Sequence, residues 1–147
     1  MSNAPKPIVL FLCTGNSARS QMAEGLLRAK SSERFEAHSA GTDPAPAVHP
    51  VAIEAMREIG IDISDQRPKA AKEYLGRLPV RHLFIVCDGA NQKCPSTFPG
   101  VRTRDFWNIE DPAAFQGSPV DTLQRFRQVR DEISSRLDAW LMGAAGK

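Results

Sequence analysis

Cys13 and Arg19 are the residues of this chain whose types and spacing best equip it for chemistry. They bracket the stretch CTGNSAR at 13–19, which directly follows the apolar run PIVLFLC at 7–13 and precedes a helical pattern. A strand–loop–helix junction of this kind is an anion site. The first N–H groups of a helix lack internal acceptors, and the helix dipole is positive there. Gly15 lets the backbone curl, and Asn16 tolerates a left-handed conformation or braces the loop. Arg19 can close the ring with a bidentate guanidinium. The same positive surround favours a Cys13 thiolate, and Ser20 can add a hydrogen bond to its sulfur. The competing reading is an inert thiol at the end of a core strand. A Cys and an Arg six apart do not separate the two readings; their placement between a buried strand and a helix favours chemistry.

The elements that must hold this loop are legible along the chain. PIVLFLC suits a central strand buried on both faces. ARSQMAEGLLRAKS carries Met22, Ala23, Leu26 and Leu27 at helical spacing, with Ser17 the expected N-cap. FEAHSAG (35–41) reads as a second strand, and PVAIEAMREIG (50–60) as a helix opened by Pro50 and closed by Gly60. KAAKEYLGRL (69–78) reads as a short helix, RHLFIVC (81–87) as a third buried strand, and VRTRDFW (101–107) as a last one. Leu123, Phe126, Val129, Ile133, Leu137 and Trp140 fall at steps of three and four, predicting a long amphipathic helix. Strands alternating with helices give one α/β domain with a parallel sheet. The functional crevice of such a sheet lies beyond the carboxyl ends of its strands. Cys13 and Cys87 both end predicted strands.

Bulk properties narrow the field. The 147 residues fit one domain spanning the chain, with residues 1–6 a loose N-terminal tail. A net charge of +2 argues for neither nucleic acid nor a membrane surface, and no apolar stretch approaches the roughly 20 residues of a membrane span. MSNAPKP has no apolar signal core, so cytoplasm is the expected location. Three cysteines do not make a disulfide framework in a chain with an ordinary core. A zinc reading with His38, His49 or His82 is poor, because six residues between Cys87 and Cys94 is not a usual zinc spacing. The histidines, Phe126 and Trp140 are read as core or surface.

VLFLCTGNSARSQMAEGLLR (9–28) resembles the active-site loop of the low-molecular-weight protein tyrosine phosphatase superfamily, and most closely its arsenate reductases. SAG (39–41), NIEDPAAF (108–115) and FRQVRDEI (126–133) extend the resemblance over nearly the whole chain. It implies a four-stranded parallel sheet flanked by helices on both faces. Cys13 would be the nucleophile on an oxyanion held by Thr14, Gly15, Asn16, Ser17, Ala18, Arg19 and Ser20. Asp111, in an Asp-Pro pair, would be the general acid, aimed by the turn that Pro112 fixes. Glu110 and Asp105 are its local competitors.

Cys87 and Cys94 resemble the second and third redox cysteines of thioredoxin-coupled arsenate reductases. That resemblance implies arsenic detoxification by reduction of arsenate to arsenite. The disulfide would pass from Cys13–Cys87 to Cys87–Cys94 and then to an external thiol donor, thioredoxin first among the candidates. No bound cofactor is implied, and a monomer is expected. Seven helical residues rise about 10.5 Å, whereas disulfide Cα atoms lie within about 7 Å. Any helix across 87–94 must therefore unwind to bridge, and this stretch is expected to change shape with oxidation state.

Two departures stand out. Ala18 occupies a position where thioredoxin-coupled members often carry a further cysteine, with little loss expected. Some relatives hold a potassium ion with an aspartate near position 69; Asn16, Glu24 and Ser39 match that set, but position 69 is Lys. An ammonium there would repel a cation or take its place, so no metal is expected. A phosphatase is the main alternative, but phosphotyrosine enzymes of this family wall the cleft with aromatic residues. GTDPAPAVHP (41–50) has none, and AAFQG (113–117) offers only Phe115. A non-catalytic oxyanion or redox sensor, for which Asp111 would be dispensable, is the alternative of another class.

Overall fold

The computed structural model describes residues 6–74, 77–86 and 101–143. Its centre is β1 (Ile8–Cys13), six residues that are all buried. A strand apolar at every position needs partners on both edges and cover on both faces. β1 pairs with β2 (Glu36–Gly41) on one side and β3 (Val80–Ile85) on the other, with β4 (Thr103–Phe106) outside β3. Every pairing is parallel, in the order β2-β1-β3-β4. This is the expected four-stranded parallel sheet, and with it come helices α1 (Arg19–Ser31), α2 (Pro50–Arg57) and α3 (Pro119–Gly143).

The register sets Phe11 beside Phe84 on one face of the sheet. There Phe84 packs against Trp107 and Trp140, with centroids 4.6 and 5.2 Å away, and Phe11 stacks on Phe84 at 5.4 Å. Such ring pairs add about 0.5–1.5 kcal/mol each beyond the area they bury. α3 lies on this face and buries Phe126, Val129, Ile133 and Leu137, the stripe its spacing predicts, while Leu123 and Trp140 pack half-buried against the core. On the opposite face Leu10, Leu12, Leu83 and Ile85 are equally buried, and Tyr74 closes over His38 with ring centroids 5.2 Å apart.

The structure corrects three local readings. Ser17 does not cap α1: the N-cap is Ala18, with no side-chain hydrogen bond, and the Ser17 carbonyl instead accepts the His49 N–H at 2.8 Å. The helix read at 69–78 is a single 3-10 turn, Ala71–Glu73. Gly41 and Ala70 form a β-bridge that keeps the chain extended up to residue 70, and Glu73 turns back to accept the Ala70 N–H at 3.0 Å. α2 stops at Arg57, and the chain turns through Gly60 at φ +82°, where a side chain would be strained. Cys87, Cys94 and the stretch between them lie outside the described residues. No helix among those described is long and apolar enough to cross a membrane.

Candidate active site

Parallel pairing sends the carboxyl ends of the strands to one edge, and Cys13 is the last residue of β1. It is 2% exposed and forms the floor of a cavity of about 250 Å3 lined by residues 13–19 and Asp111. The Asn16 N–H donates to Cys13 Sγ at 3.1 Å, and Ser20 Oγ lies 2.8 Å from the same sulfur. Asn16 Nδ2 donates to Ser20 Oγ at 2.7 Å, which leaves the serine hydrogen to point at sulfur. Two donors converging on Sγ favour its anionic form. The N-cap of α1, Ala18, makes no side-chain hydrogen bond, and the first N–H groups of any helix lack intrahelical acceptors.

Asn16 both adopts the left-handed conformation and braces the loop, the two roles its type suggested. At φ 51° it is the one non-glycine residue with positive φ among those described. Its Oδ1 accepts the Lys69 N–H at 2.8 Å, and its carbonyl accepts Gln21 Nε2 at 3.0 Å. Gln21 also donates to the Arg67 carbonyl, and Gln66 donates to Gln21 Oε1 at 2.8 Å. Residues 66–69 thus form a strap under the loop, a feature the sequence reading missed.

The other side of the loop leans on Gly41. The carbonyls of Cys13, Thr14 and Gly15 accept N–H groups of Thr42, Asp43 and Ala45. A Cβ at Gly41 would stand 2.5 Å from the Thr14 carbonyl oxygen, closer than any real contact. Gly41→Ala should therefore push the loop or the strand end aside, costing about 1–3 kcal/mol as overpacking does. The midpoint of urea denaturation reads this directly; an unchanged midpoint would mean the loop yields freely.

Arg19, whose side chain is 12% exposed, donates through Nη1 to the Ile109 carbonyl at 3.0 Å and sets Nη2 3.6 Å from Asp111 Oδ2. Asp111 caps the 3-10 turn Pro112–Ala114, its Oδ1 accepting the Ala113 N–H at 3.0 Å. One carboxylate oxygen is tied to the turn that begins at Pro112, and the other faces the arginine over the cavity. Neither competitor shares this place. Glu110 pairs with Arg125 at 3.1 Å, and Asp105 lies in a separate hollow beside Trp107 and Arg136. Phe115 sits under the Arg125 guanidinium, 4.6 Å from the ring centroid, rather than in the cavity wall.

Lys69 Nζ stands 3.5 Å from Glu24 Oε1, with the two side chains only 13% and 6% exposed. The ammonium therefore sits against the carboxylate instead of avoiding it. Ser39 Oγ donates to the same Glu24 oxygen at 2.5 Å, and Arg28 Nη2 to the other at 2.6 Å. Burial pushes Lys69 below the usual lysine range, against the pull of Glu24. Among the described residues no three of His, Cys, Asp and Glu gather as a metal's ligands.

His49, read as core or surface, is half-buried with a structural role. It caps α2 through Nδ1, which accepts the Val51 N–H at 3.1 Å, and its ring lies 4.8 Å from that of Phe126. Burial lowers its pKa, partly offset by the nearby Asp111 carboxylate. The signal was the His-Pro pair opening a helix. A larger groove, about 400 Å3, runs between α2 and the start of α3 past Val51, Val120 and Leu123. Its described lining holds neither cysteine nor arginine.

The family model described as low molecular weight phosphotyrosine protein phosphatase matches residues 8–146. An arsenate reductase of Oceanobacillus iheyensis is 44% identical over 133 residues, covering 90% of this chain and 93% of that protein. A solved arsenate reductase in its phosphate-binding state superposes with a TM-score of 0.79 at 30% identity, covering 92% of this chain and 97% of that one. A thioredoxin-dependent arsenate reductase of Corynebacterium glutamicum superposes with a TM-score of 0.69 at 28% identity, over 96% of this chain and 65% of that one. The loop built on Cys13, the sheet that carries it and these matches agree: the chain belongs to the low molecular weight phosphotyrosine protein phosphatase family.

Proposed function

We propose that this protein reduces arsenate to arsenite through Cys13, with Cys87 and Cys94 carrying the resulting disulfide to an external thiol. The observation that carries the reading is the cavity over Cys13. It is small, it closes with Arg19 and Asp111, and no described aromatic residue lines it. Those dimensions suit a tetrahedral inorganic oxyanion better than an aryl phosphate on a protein. The relatives named as arsenate reductases support the same substrate.

The oxyanion sits with its charge on the loop N–H groups and the Arg19 guanidinium. The Cys13 thiolate attacks arsenic, and Asp111 protonates the oxygen that leaves, giving a Cys13–arsenic(V) bond. The Cys87 thiolate then attacks Cys13 Sγ. The S–As bond breaks with its electron pair going to arsenic, which departs as arsenite, and a Cys13–Cys87 disulfide remains. Cys94 attacks Cys87, the Cys13 thiolate leaves, and a Cys87–Cys94 disulfide forms. Two thiols have lost two electrons, matching arsenic(V) to arsenic(III). A dithiol donor in a reducing cytoplasm, with thioredoxin the first candidate, restores the pair.

Asp111→Asn tests the acid. The amide keeps the cap on Ala113 but has no proton to give, so the chemical step should slow by roughly 10²- to 10³-fold with inorganic phosphate affinity nearly unchanged. An unaltered rate removes Asp111 from the acid role. The test of the whole reading is arsenate-dependent NADPH oxidation with thioredoxin and thioredoxin reductase, run beside p-nitrophenyl phosphate hydrolysis. Steady turnover with arsenate is expected. Hydrolysis alone, with no arsenate turnover by any dithiol, would make the protein a phosphatase.

A further inference from the structure

We infer that Lys69 is a positioning residue, a tethered cation whose ammonium holds the strap at 66–69 against α1 and thereby fixes Asn16 beneath Cys13. The inference rests on the reading of Cys13 as the oxyanion-binding thiol. Lys69 is joined to the site by both of its ends. Its main-chain N–H donates to Asn16 Oδ1 at 2.8 Å, and its carbonyl accepts the Gly41 N–H at 2.8 Å. Its side chain turns the other way, Nζ donating to the Arg67 carbonyl at 3.0 Å and lying 3.5 Å from Glu24.

From Asn16 the chain of contacts runs inward without a gap. Asn16 Nδ2 donates to Ser20 Oγ, and both the Asn16 N–H and Ser20 Oγ reach the Cys13 sulfur. Asn16 and Ser20 are wholly buried, so no water can replace a partner that moves. A left-handed asparagine costs energy unless its surroundings hold it, and the Lys69 N–H is one of the bonds that hold it. Glu24 is buried at the opposite end of the same brace, and removing one member of a buried ion pair leaves the other uncompensated. Arg28 also meets Glu24 and donates to Gln66 Oε1 at 3.1 Å, but its side chain is half exposed and it reaches Asn16 only through Gln66 and Gln21. Of the two cations, Lys69 is the one whose own residue bonds Asn16 directly.

A tethered cation can be deleted and then supplied from solution. Lys69→Ala, which leaves space beside Glu24, should bind inorganic phosphate about tenfold more weakly in choline chloride, as expected when a small displacement spoils a preorganised site. Potassium, ammonium or methylammonium at the same ionic strength should recover most of that loss. Lys69→Met, which fills the space with an uncharged stem, should lose the same affinity and recover nothing. Glu24→Gln should match Lys69→Met, and the double variant should be no worse than either.

Phosphate affinity in Lys69→Ala equal to that of the unaltered chain overturns the inference, as does a loss that no small cation repairs. If Lys69→Ala does not fold, Lys69→Met carries the test, and unaltered affinity in that variant overturns it equally. Failure of the unaltered chain to bind phosphate at all overturns the site reading, and the brace falls with it. Phosphate binding without arsenate turnover removes the proposed reaction and leaves the brace supported or refuted by the same affinities.

Discussion

Cys13→Ser is expected to abolish arsenate reduction and p-nitrophenyl phosphate hydrolysis together, each by on the order of 10⁴-fold or more. The substitution changes one atom. Serine fits the floor of the cavity and can keep the Asn16 and Ser20 hydrogen bonds that now reach sulfur. What it cannot do is present an anion near neutral pH, because the donors that suffice for a thiol fall far short for an alcohol. Phosphate affinity and the denaturation midpoint should both stay near their original values, since Arg19 and the first turn of α1 are untouched. A serine variant that retains a tenth of either activity removes Cys13 from the chemistry.

Cys87→Ser is expected to separate the two activities. Arsenate turnover should fall below detection, because nothing remains to attack the Cys13–arsenic adduct and draw two electrons into it. Hydrolysis of p-nitrophenyl phosphate should continue within about threefold, since water can resolve a phosphorylated cysteine without any second thiol. The described chain ends its third strand beside the first. The Val86 N–H donates to the Leu12 carbonyl at 2.9 Å, so the residues directly before Cys87 and before Cys13 are joined by a hydrogen bond. Equal loss of both activities in Cys87→Ser ends the relay. Unimpaired arsenate turnover transfers the resolving step to Cys94 or to the external donor.

Local chemistry was the legible part of this sequence. Cys13, Asn16 and Ser20 lie within eight residues, and their types offered a hydroxyl for the sulfur and an asparagine that could turn left-handed or brace the loop. β1 was equally plain, because six consecutive apolar residues have few places to go but the middle of a sheet. α3 announced itself by period. Contacts across long stretches of chain were invisible. Gln66 meets Gln21 over 45 residues, and nothing in their neighbourhoods marks them as partners; Lys69 meets Asn16 over 53, and only the family resemblance had set position 69 beside Asn16, Glu24 and Ser39. The same blindness misled the reading of 69–78. Its composition favours helix, but the bridge from Ala70 to Gly41 outweighs propensity and leaves one turn. Ser17 looked like a cap by position, yet the carbonyl of that residue is committed to His49. Asp111 lay between these cases. Asp-Pro reads equally as a turn, and the structure adds that the carboxylate of this cap faces Arg19 over the cavity.

The aromatic stack on the sheet has a practical consequence. The chain's two tryptophans, Trp107 and Trp140, both pack on Phe84, and Trp107 is rooted four residues before Asp111. Intrinsic fluorescence is therefore an optical gauge of this one face of the sheet and of the ground on which the acid loop stands. A variant at Cys13, Lys69 or Asp111 that keeps the parent emission spectrum has kept that ground. For Cys13 or Asp111 any deficit in rate then belongs to the substituted group, for Lys69 to the brace it anchors, and a shifted spectrum assigns the deficit to the scaffold.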